Sequence, residues 1–548
     1  MRRLYRILLV LVTPLLSVLL RVPFLAGRAG LYGHDPYLHM YLTNRWLDLS
    51  TWSVTDLAAE VPHLDYNAWP GAHILAGSLS SVGGVEVLEV MTWLPLLFLF
   101  LMDLAIVLVL LRYSNLAIAL LGGVLFGLLD FMFFQTHWYI PELLGLTFIA
   151  FLFLNELAVR RELLSLLLLV AALLTHHLSF LIALIFWVVL SSGRPDRNQL
   201  VMVVLLAVST VLFWDHALEN TGSFPDIQNQ LGGVHPAMVA VVLMASLMAL
   251  KWFATAYIER FLPVPEGASI LDHLSARWKA IGTLTLVLAI VAGVLIVLAL
   301  YLSSVARMAG LGFQPAKLLI LAGGFLFLAY GPIERDTFRV LCAFALVTFL
   351  FILNPLLFDF IPLTVRFLEF MYIPGIILLA VGVLHLCLRR PERASTVVMA
   401  LLLVCPVLYV DDVIRYADDG SQRFVYSSGD LEFSETIGVT TEYNAVIASP
   451  PGMASMVLGM SERRTWTHAI TLALEDGDYL NSIDDLEEAK AFGPVYLLHS
   501  SDPLRYMVEG DDQVSQQEID DLEASLEPLS DRFELVMDDG VHTLYRFN

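Results

Sequence analysis

The run Gly33-His34-Asp35-Pro36-Tyr37-Leu38-His39-Met40 sets one carboxylate between two imidazoles, side chains that take up protons or hold a metal ion. Asp35-Pro36 has the form of a helix N-cap followed by proline at the first helical position. A helix begun there carries His39 four residues on, along the face of Asp35. The same pattern fits a capped amphipathic helix lying at a membrane interface. A second group lies in Thr136-His137-Trp138-Tyr139-Ile140-Pro141-Glu142. There Glu142 falls in a first helical turn, which the helix dipole favours with or without chemistry. His176 and His177 stand between two short apolar runs, where they can bind exposed carbonyls or ligate an ion, although Mn²⁺ and Mg²⁺ prefer oxygen. Arg366, in Pro362-Leu363-Thr364-Val365-Arg366-Phe367, can clamp a phosphate through two parallel hydrogen bonds or snorkel to lipid head groups. Lys317, after Gln314-Pro315-Ala316, is a second cation of this kind.

The elements that must position these groups are membrane helices. Of 548 residues, 58% are hydrophobic, more than soluble domains carry, so most of the chain belongs in lipid. Apolar runs near 5–26, 90–111, 115–134, 140–156, 162–175, 177–192, 198–215, 236–256, 281–303, 315–331, 337–357, 366–388 and 395–412 predict about thirteen spans. The basic clusters around Arg2, Arg160, Arg194, Lys251–Lys279, Arg335 and Arg389 then fall in alternate loops, which are cytoplasmic by the positive-inside rule. This holds only if 162–192 is a hairpin. The N-terminus reads as a cytoplasmic signal anchor in a multi-pass plasma-membrane protein.

Sorted by this topology, His34, Asp35, His39, His137, Glu142, His176, His177, Asp215, His216, Lys317, Asp359 and Arg366 all come to the outer side. Ionisable groups at membrane depth are costly, and such a gathering marks a site. Asp103 and Asp130 remain as intramembrane acids without an assigned place.

The three cysteines, Cys342, Cys387 and Cys405, have neither disulfide nor zinc spacing. Between Asp411 and Asn548 lie 29 of the 53 acidic residues but 8 of the 31 basic ones, so the rest of the chain is close to neutral. Such a tail excludes nucleic-acid binding, and with only four lysines in the whole chain it suits hydration at high salt, as in halophilic archaea. Strand-like runs at 444–449, 494–500 and 533–537, helical stretches at 453–460 and 516–526, and a hairpin turn at Asp539-Gly540 predict a small extracellular α/β domain over 413–548. Residues 1–412 form the membrane domain, with an external loop at 27–89 rich in Trp and His.

The Asp-Pro-Tyr-x-His run in the first external loop, after a basic N-terminus and one span, resembles the GT-C superfamily of glycosyltransferases that use lipid-linked sugars. Oligosaccharyltransferase catalytic subunits carry a close relative of it. The resemblance implies Asp35 as the catalytic carboxylate, with His39 or His34 tuning it or joining a Mn²⁺ or Mg²⁺ site. It also implies Glu142 as the answer to that family's acidic ligands, with His137, His176 and His177 nearby, and Arg366, seconded by Lys317, as the holder of the lipid phosphate. The family's Asp-x-Glu pair is absent. So is the Trp-Trp-Asp-Tyr-Gly run that recognises the acceptor sequon; its nearest counterpart is Ala448-Ser449-Pro450-Pro451-Gly452-Met453.

These departures point to a relative that moves a single hexose, mannose first, from a dolichol phosphate carrier to a lipid- or protein-linked glycan at the outer face. Haloarchaeal N-glycosylation uses such a mannosyltransferase. The alternatives are a divergent oligosaccharyltransferase, which needs a sequon peptide and a divalent ion, a lipid-linked sugar flippase, which needs charges along a path through mid-membrane, and a non-catalytic membrane assembly factor.

Overall fold

The computed structural model describes residues 2–26, 28–33, 35–49, 70–129, 139–191, 197–218, parts of 238–252 and 323–331, then 334–357, 361–415, 426–506 and 514–548. The membrane part runs through α1 (Arg2–Leu19), α2 (Val22–Ala26), α3 (Asp35–Leu49), α4 (Gly71–Gly83), α5 (Val87–Tyr113), α6 (Leu116–Gly127) and α7 (Pro141–Leu154, extended by a π turn, Asn155–Val159). It continues through α8 (Glu162–Thr175), α9 (His177–Leu190), α10 (Arg197–Leu218), α11 (Arg335–Leu357), α12 (Ile361–Arg389) and α13 (Pro391–Arg415). Among the described residues, Ile7–Ala26, Val87–Tyr113, Pro141–Val159 and Glu369–Arg389 are each long and apolar enough to cross a membrane, and shorter apolar helices accompany them. The expected spans at 281–303 and most of 236–256 and 315–331 lie outside the described residues.

Helix α5 is the hub, packed by α1, α4, α6, α7 and α12. Its residues Leu99, Met102, Ile106, Val107 and Leu110 are fully enclosed, whereas Leu8, Leu163, Leu167, Leu200, Leu212 and Leu402 on α1, α8, α10 and α13 are exposed apolar side chains. That division suits a bundle whose outer surface meets lipid. Lipid removes the hydrophobic drive between helices, so close approach and polar contacts must hold them together. Gly123 of α6 supplies the first, since a Cβ there would sit 2.6 Å from Val107 Cγ2 and 2.7 Å from Thr13 Oγ1. Asp103 supplies the second, accepting from Ser17 Oγ at 2.8 Å. Arg21, just past α1, donates to the carbonyls of Ser17 and Gly127. Asp103 is thus a tie between α5 and α1.

Residues 162–192 form two helices packed on each other with a turn at His176, as the distribution of basic residues required. Among the described residues, three of the clusters expected to share a side meet at one end of the bundle. Arg160 pairs with Asp336 at 2.5 Å, Tyr113 donates to the same carboxylate at 3.2 Å, Arg339 reaches the Leu190 carbonyl, and Lys251 contacts Ser191 and Gln199. The opposite end carries α3, α4 and the starts of α7 and α9.

The tail holds α14 (Ser428–Thr440), β1 (Val446–Ala448), α15 (Pro451–Ser461), β2 (Arg464–Trp466), α16 (His468–Asp476), α17 (Ile483–Ala489), β3 (Val495–Ser500), α18 (Gln516–Leu526), β4 (Phe533–Asp538) and β5 (His542–Phe547). The strands order as β2-β1-β3-β5-β4, the first three parallel and the last two antiparallel to their neighbours. The expected hairpin joins β4 to β5: Gly540 takes φ +87°, and Asp539 Oδ1 accepts from the amides of Val541 and His542 at 2.8 and 2.6 Å. Because β2 and β3 flank β1 on opposite sides, the carboxyl ends of β1 and β3 form a switch point of the kind where open α/β sheets bind ligands. Here the protein's own side chains fill it. Tyr426 donates to the Gly452 carbonyl at 2.6 Å, and Arg505 pairs with Asp430 at 2.8 Å behind it.

This edge docks on α3. Helix α15 packs along α3, and Tyr37 meets Tyr426 edge to face at 5.3 Å. Gly459 permits the approach, because a Cβ there would lie 2.7 Å from the Tyr37 carbonyl oxygen, a backbone atom that cannot rotate away. Gly459→Leu is therefore expected to cost about 1–3 kcal/mol and to uncouple the tail from the bundle. Thermal unfolding in nanodiscs checks this: the variant should lose the single transition and show an earlier one for the tail.

Candidate active site

Helix α3 begins within one residue of the expected start: Asp35 is its first helical residue rather than the residue ahead of it, Pro36 follows in the first turn, and Asp35 is partly exposed. The next turns are buried: Tyr37 at 0%, His39 at 1% and Met40 at 3%. Tyr37 ties the helix start to the preceding loop, its hydroxyl accepting from the Leu31 amide at 3.0 Å. Arg28 in that loop stacks over Tyr32, 4.7 Å from the ring centre.

His39 faces α4. Its Nδ1 lies 2.9 Å from Nε2 of His73, with ring centres 5.1 Å apart, and both imidazoles are sealed from solvent. Small residues bring the two helices this close, since a Cβ on Gly77 would strike the Trp46 ring and lie 3.3 Å from Thr43 Cγ2. His73 follows the Trp69-Pro70-Gly71-Ala72 run of the external loop, and its partnership with His39 spans 34 positions that no local spacing reveals.

The start of α4 is anchored to the rest of this end of the bundle. The Tyr139 hydroxyl donates to the Ala72 carbonyl at 2.6 Å, and Gly71 lies where a Cβ would meet Thr175 Oγ1 at 2.6 Å. Two residues beyond Ile140, which precedes α7, Glu142 sits in the first turn behind Pro141 and is 3% exposed. His176 caps α9, accepting from the Ser179 amide at 3.2 Å with Ser179 Oγ at 3.0 Å from the same nitrogen. Gly145 of α7 lets that cap approach, its missing Cβ being 2.5 Å from Ser179 Cβ. Asp35, His39, Glu142 and His176 therefore stand on helices that converge at one end. The side chains of His34, His137, His177, Lys317 and Arg366 lie outside the described residues, although Arg366 falls in the first turns of α12.

Among the described residues no three His, Cys, Asp or Glu side chains converge on a point where an ion could sit. His39 Nδ1 is committed to His73, and His176 Nδ1 to Ser179. The described donors do not by themselves form a metal centre.

Burial holds His73 down to about 3, and burial followed by the neighbouring His73 holds His39 well below an ordinary histidine. In the tail, burial and then His542 lower His499 to about 4. The unfolded chain binds these protons near 6.5 and the folded one refuses them, so their stabilisation is complete above that pH and is lost as pH falls toward 4 and then 3. Each histidine contributes a slope of about 1.4 kcal/mol per pH unit in its window. Thermal unfolding between pH 7.5 and 5 should show a falling melting temperature, shallower in His499→Gln.

No family model matches the sequence, and no curated protein is similar to it in sequence. Solved structures are similar in fold. An oligosaccharyltransferase of Archaeoglobus fulgidus, solved with Zn and sulfate, superposes with a TM-score of 0.55 at 12% identity over 98% of this chain and 72% of that one. The same enzyme with an inhibitory peptide and a dolichol-phosphate gives 0.50 at 13% identity, over 100% and 74%. Arabinofuranosyltransferase AftD from Mycobacteria gives 0.50 at 13% identity, over 98% of this chain and 41% of that one.

Proposed function

We propose that this chain, which has the GT-C fold of membrane glycosyltransferases, is an inverting hexosyltransferase. It moves one sugar, mannose first among candidates, from a dolichol phosphate carrier to a glycan or glycoprotein acceptor at the outer membrane face. The observation that carries this reading is α3: its Asp35 end stays partly exposed, while the turns behind it are held between α4 and the docked tail. A base that must meet an acceptor needs both properties.

In the proposed reaction the Asp35 carboxylate takes the proton of the acceptor hydroxyl as its oxygen attacks the anomeric carbon. The bond from that carbon to the phosphate oxygen breaks, and the electron pair leaves with dolichyl phosphate. Arg366 and Lys317 stabilise the departing phosphate, and attack from the opposite face inverts the anomeric centre. His39 supports the carboxylate, and Glu142 and His176 complete the polar wall. The end of the bundle bearing Arg160, Lys251 and Arg339 faces the cytoplasm, and the tail lies outside.

A single-sugar donor is favoured over oligosaccharide transfer to a sequon by the tail's switch point. Ser449-Pro450-Pro451-Gly452 passes there from β1 into α15, and Gly452 is covered by the Arg505 backbone, a Cβ at that position lying 2.5 Å from the carbonyl oxygen. The test supplies membranes with labelled dolichyl phosphate mannose, then glucose and galactose donors, and with either a glycan acceptor or a sequon peptide. Label in the glycan supports the proposal. Transfer to the peptide alone, dependent on a divalent ion, moves the assignment to an oligosaccharyltransferase.

A further inference from the structure

We infer that His73 is the positioning residue for His39, so that a histidine pair rather than a single histidine backs the Asp35 helix; this rests on the proposed glycosyl transfer. The two rings share one hydrogen bond at 2.9 Å and are buried to 0% and 1% exposure. A single proton between His39 Nδ1 and His73 Nε2 makes their tautomers interdependent: whichever nitrogen donates, the other must be bare. Each ring's remaining nitrogen follows from that choice, and His39 cannot turn without breaking the bond. The shared hydrogen bond fails once both rings are protonated, and enclosure within protein disfavours charge on either.

The surroundings make His73 a fixed post. One residue before it, Ala72 is held by the Tyr139 hydroxyl, and Gly71 is wedged against Thr175. Four residues after it, Gly77 lies against Trp46 and Thr43 of α3 itself. His73 is thus fastened to α7 and α8 on one side and to α3 on the other. On α3, His39 also shares its turn with Thr43, whose hydroxyl donates to the His39 carbonyl at 2.8 Å. Placed four residues after Asp35 on the same helical face, His39 is the side chain through which α4 can set the orientation of that end of α3. His73 acts through His39 and does not itself touch substrate.

The test compares His73→Leu, which keeps bulk but cannot hydrogen-bond, with His73→Gln, whose amide can donate and accept at the place of Nε2. Both are measured in nanodiscs for steady-state transfer from a dolichyl phosphate sugar and for melting temperature. The expected result is a fall in kcat of about 100-fold for His73→Leu with KM for the donor little changed, and recovery of most of that loss in His73→Gln. His39→Leu combined with His73→Leu should be no worse than His39→Leu alone. Equal transfer by wild type and a folded His73→Leu, or a loss confined to melting temperature, overturns the inference. So does a Gln variant as impaired as the Leu variant, since the hydrogen bond would then not be the cause. Failure of the functional reading shows elsewhere, as no transfer by the wild type from any dolichyl phosphate donor, and the role of His73 falls with it.

Discussion

Asp35→Asn is expected to lower sugar transfer by about 10²- to 10⁴-fold without unfolding the protein, the span that a positioned general base contributes. Asparagine keeps the size of the side chain, and α3 is held by its buried later turns, so the helix should stay in register on α4 and α15. What it loses is the carboxylate that accepts the acceptor proton. The loss should therefore appear in kcat, with KM for the lipid donor nearly constant, because the proposed donor contacts belong to Arg366 and Lys317. Melting temperature measured on the same preparation separates the two effects. An Asp35→Asn protein that melts like the wild type and transfers at the wild-type rate removes Asp35 as the base.

The largest stability effect is expected in the tail, at Asp430. Its carboxylate accepts from Ser427 in a capping box that starts α14, pairs with Arg505 at 2.8 Å and binds His542 Nε2 at 2.7 Å, all in a site 3% exposed. Burial by itself would raise this carboxyl, but the hydrogen bond from His542, the charge of Arg505 and the Ser427 contacts together hold it below the ordinary range. Arg505 in turn lies 5.2 Å over the Tyr426 ring, which meets Tyr37 of α3. Asp430→Ala strips one partner from a buried ion pair and is expected to cost about 3–5 kcal/mol. Asp430→Asn, which retains neutral hydrogen bonds, should cost less. Since Asp430 is depressed in the folded state, its contribution is present above the unfolded carboxyl value and disappears as pH falls through the folded one. Unchanged unfolding in Asp430→Ala would mean that the network contributes nothing to docking.

Several of the apolar helices are legible in the sequence because each part of their signal is local. Apolar runs predicted α5, α7, α11 and α12 within a few residues, and alternating basic loops predicted that Arg160, Asp336 and Lys251 would gather at one end. The Asp35-Pro36 pair marks the start of α3 to within one residue. His73 was not singled out, because its partner lies 34 positions away and an imidazole early in an apolar helix has no periodic signature. Asp103 resisted assignment for the same reason, its tie being to Ser17, 86 positions distant. In the tail, β2 spans three residues and offers too little pattern to read, whereas α14 carries a capping box at Ser427 and Asp430 that is a usable local signal. His176 shows the converse: a pair of histidines invites a ligand role, while the position between two short helices calls for a cap, which is what His176 provides.

Transfer of a sugar from a lipid phosphate is tested most directly by a single-turnover assay on the purified full chain in nanodiscs. Dolichyl phosphate carrying a labelled hexose is mixed with a glycan acceptor, label is followed from the lipid into the glycan, and released dolichyl phosphate is quantified separately. Transfer predicts equal amounts of glycosylated acceptor and released dolichyl phosphate, with the new linkage inverted relative to the donor. Label that stays on the lipid with every dolichyl phosphate hexose tried, or a linkage that retains the donor configuration, would contradict it.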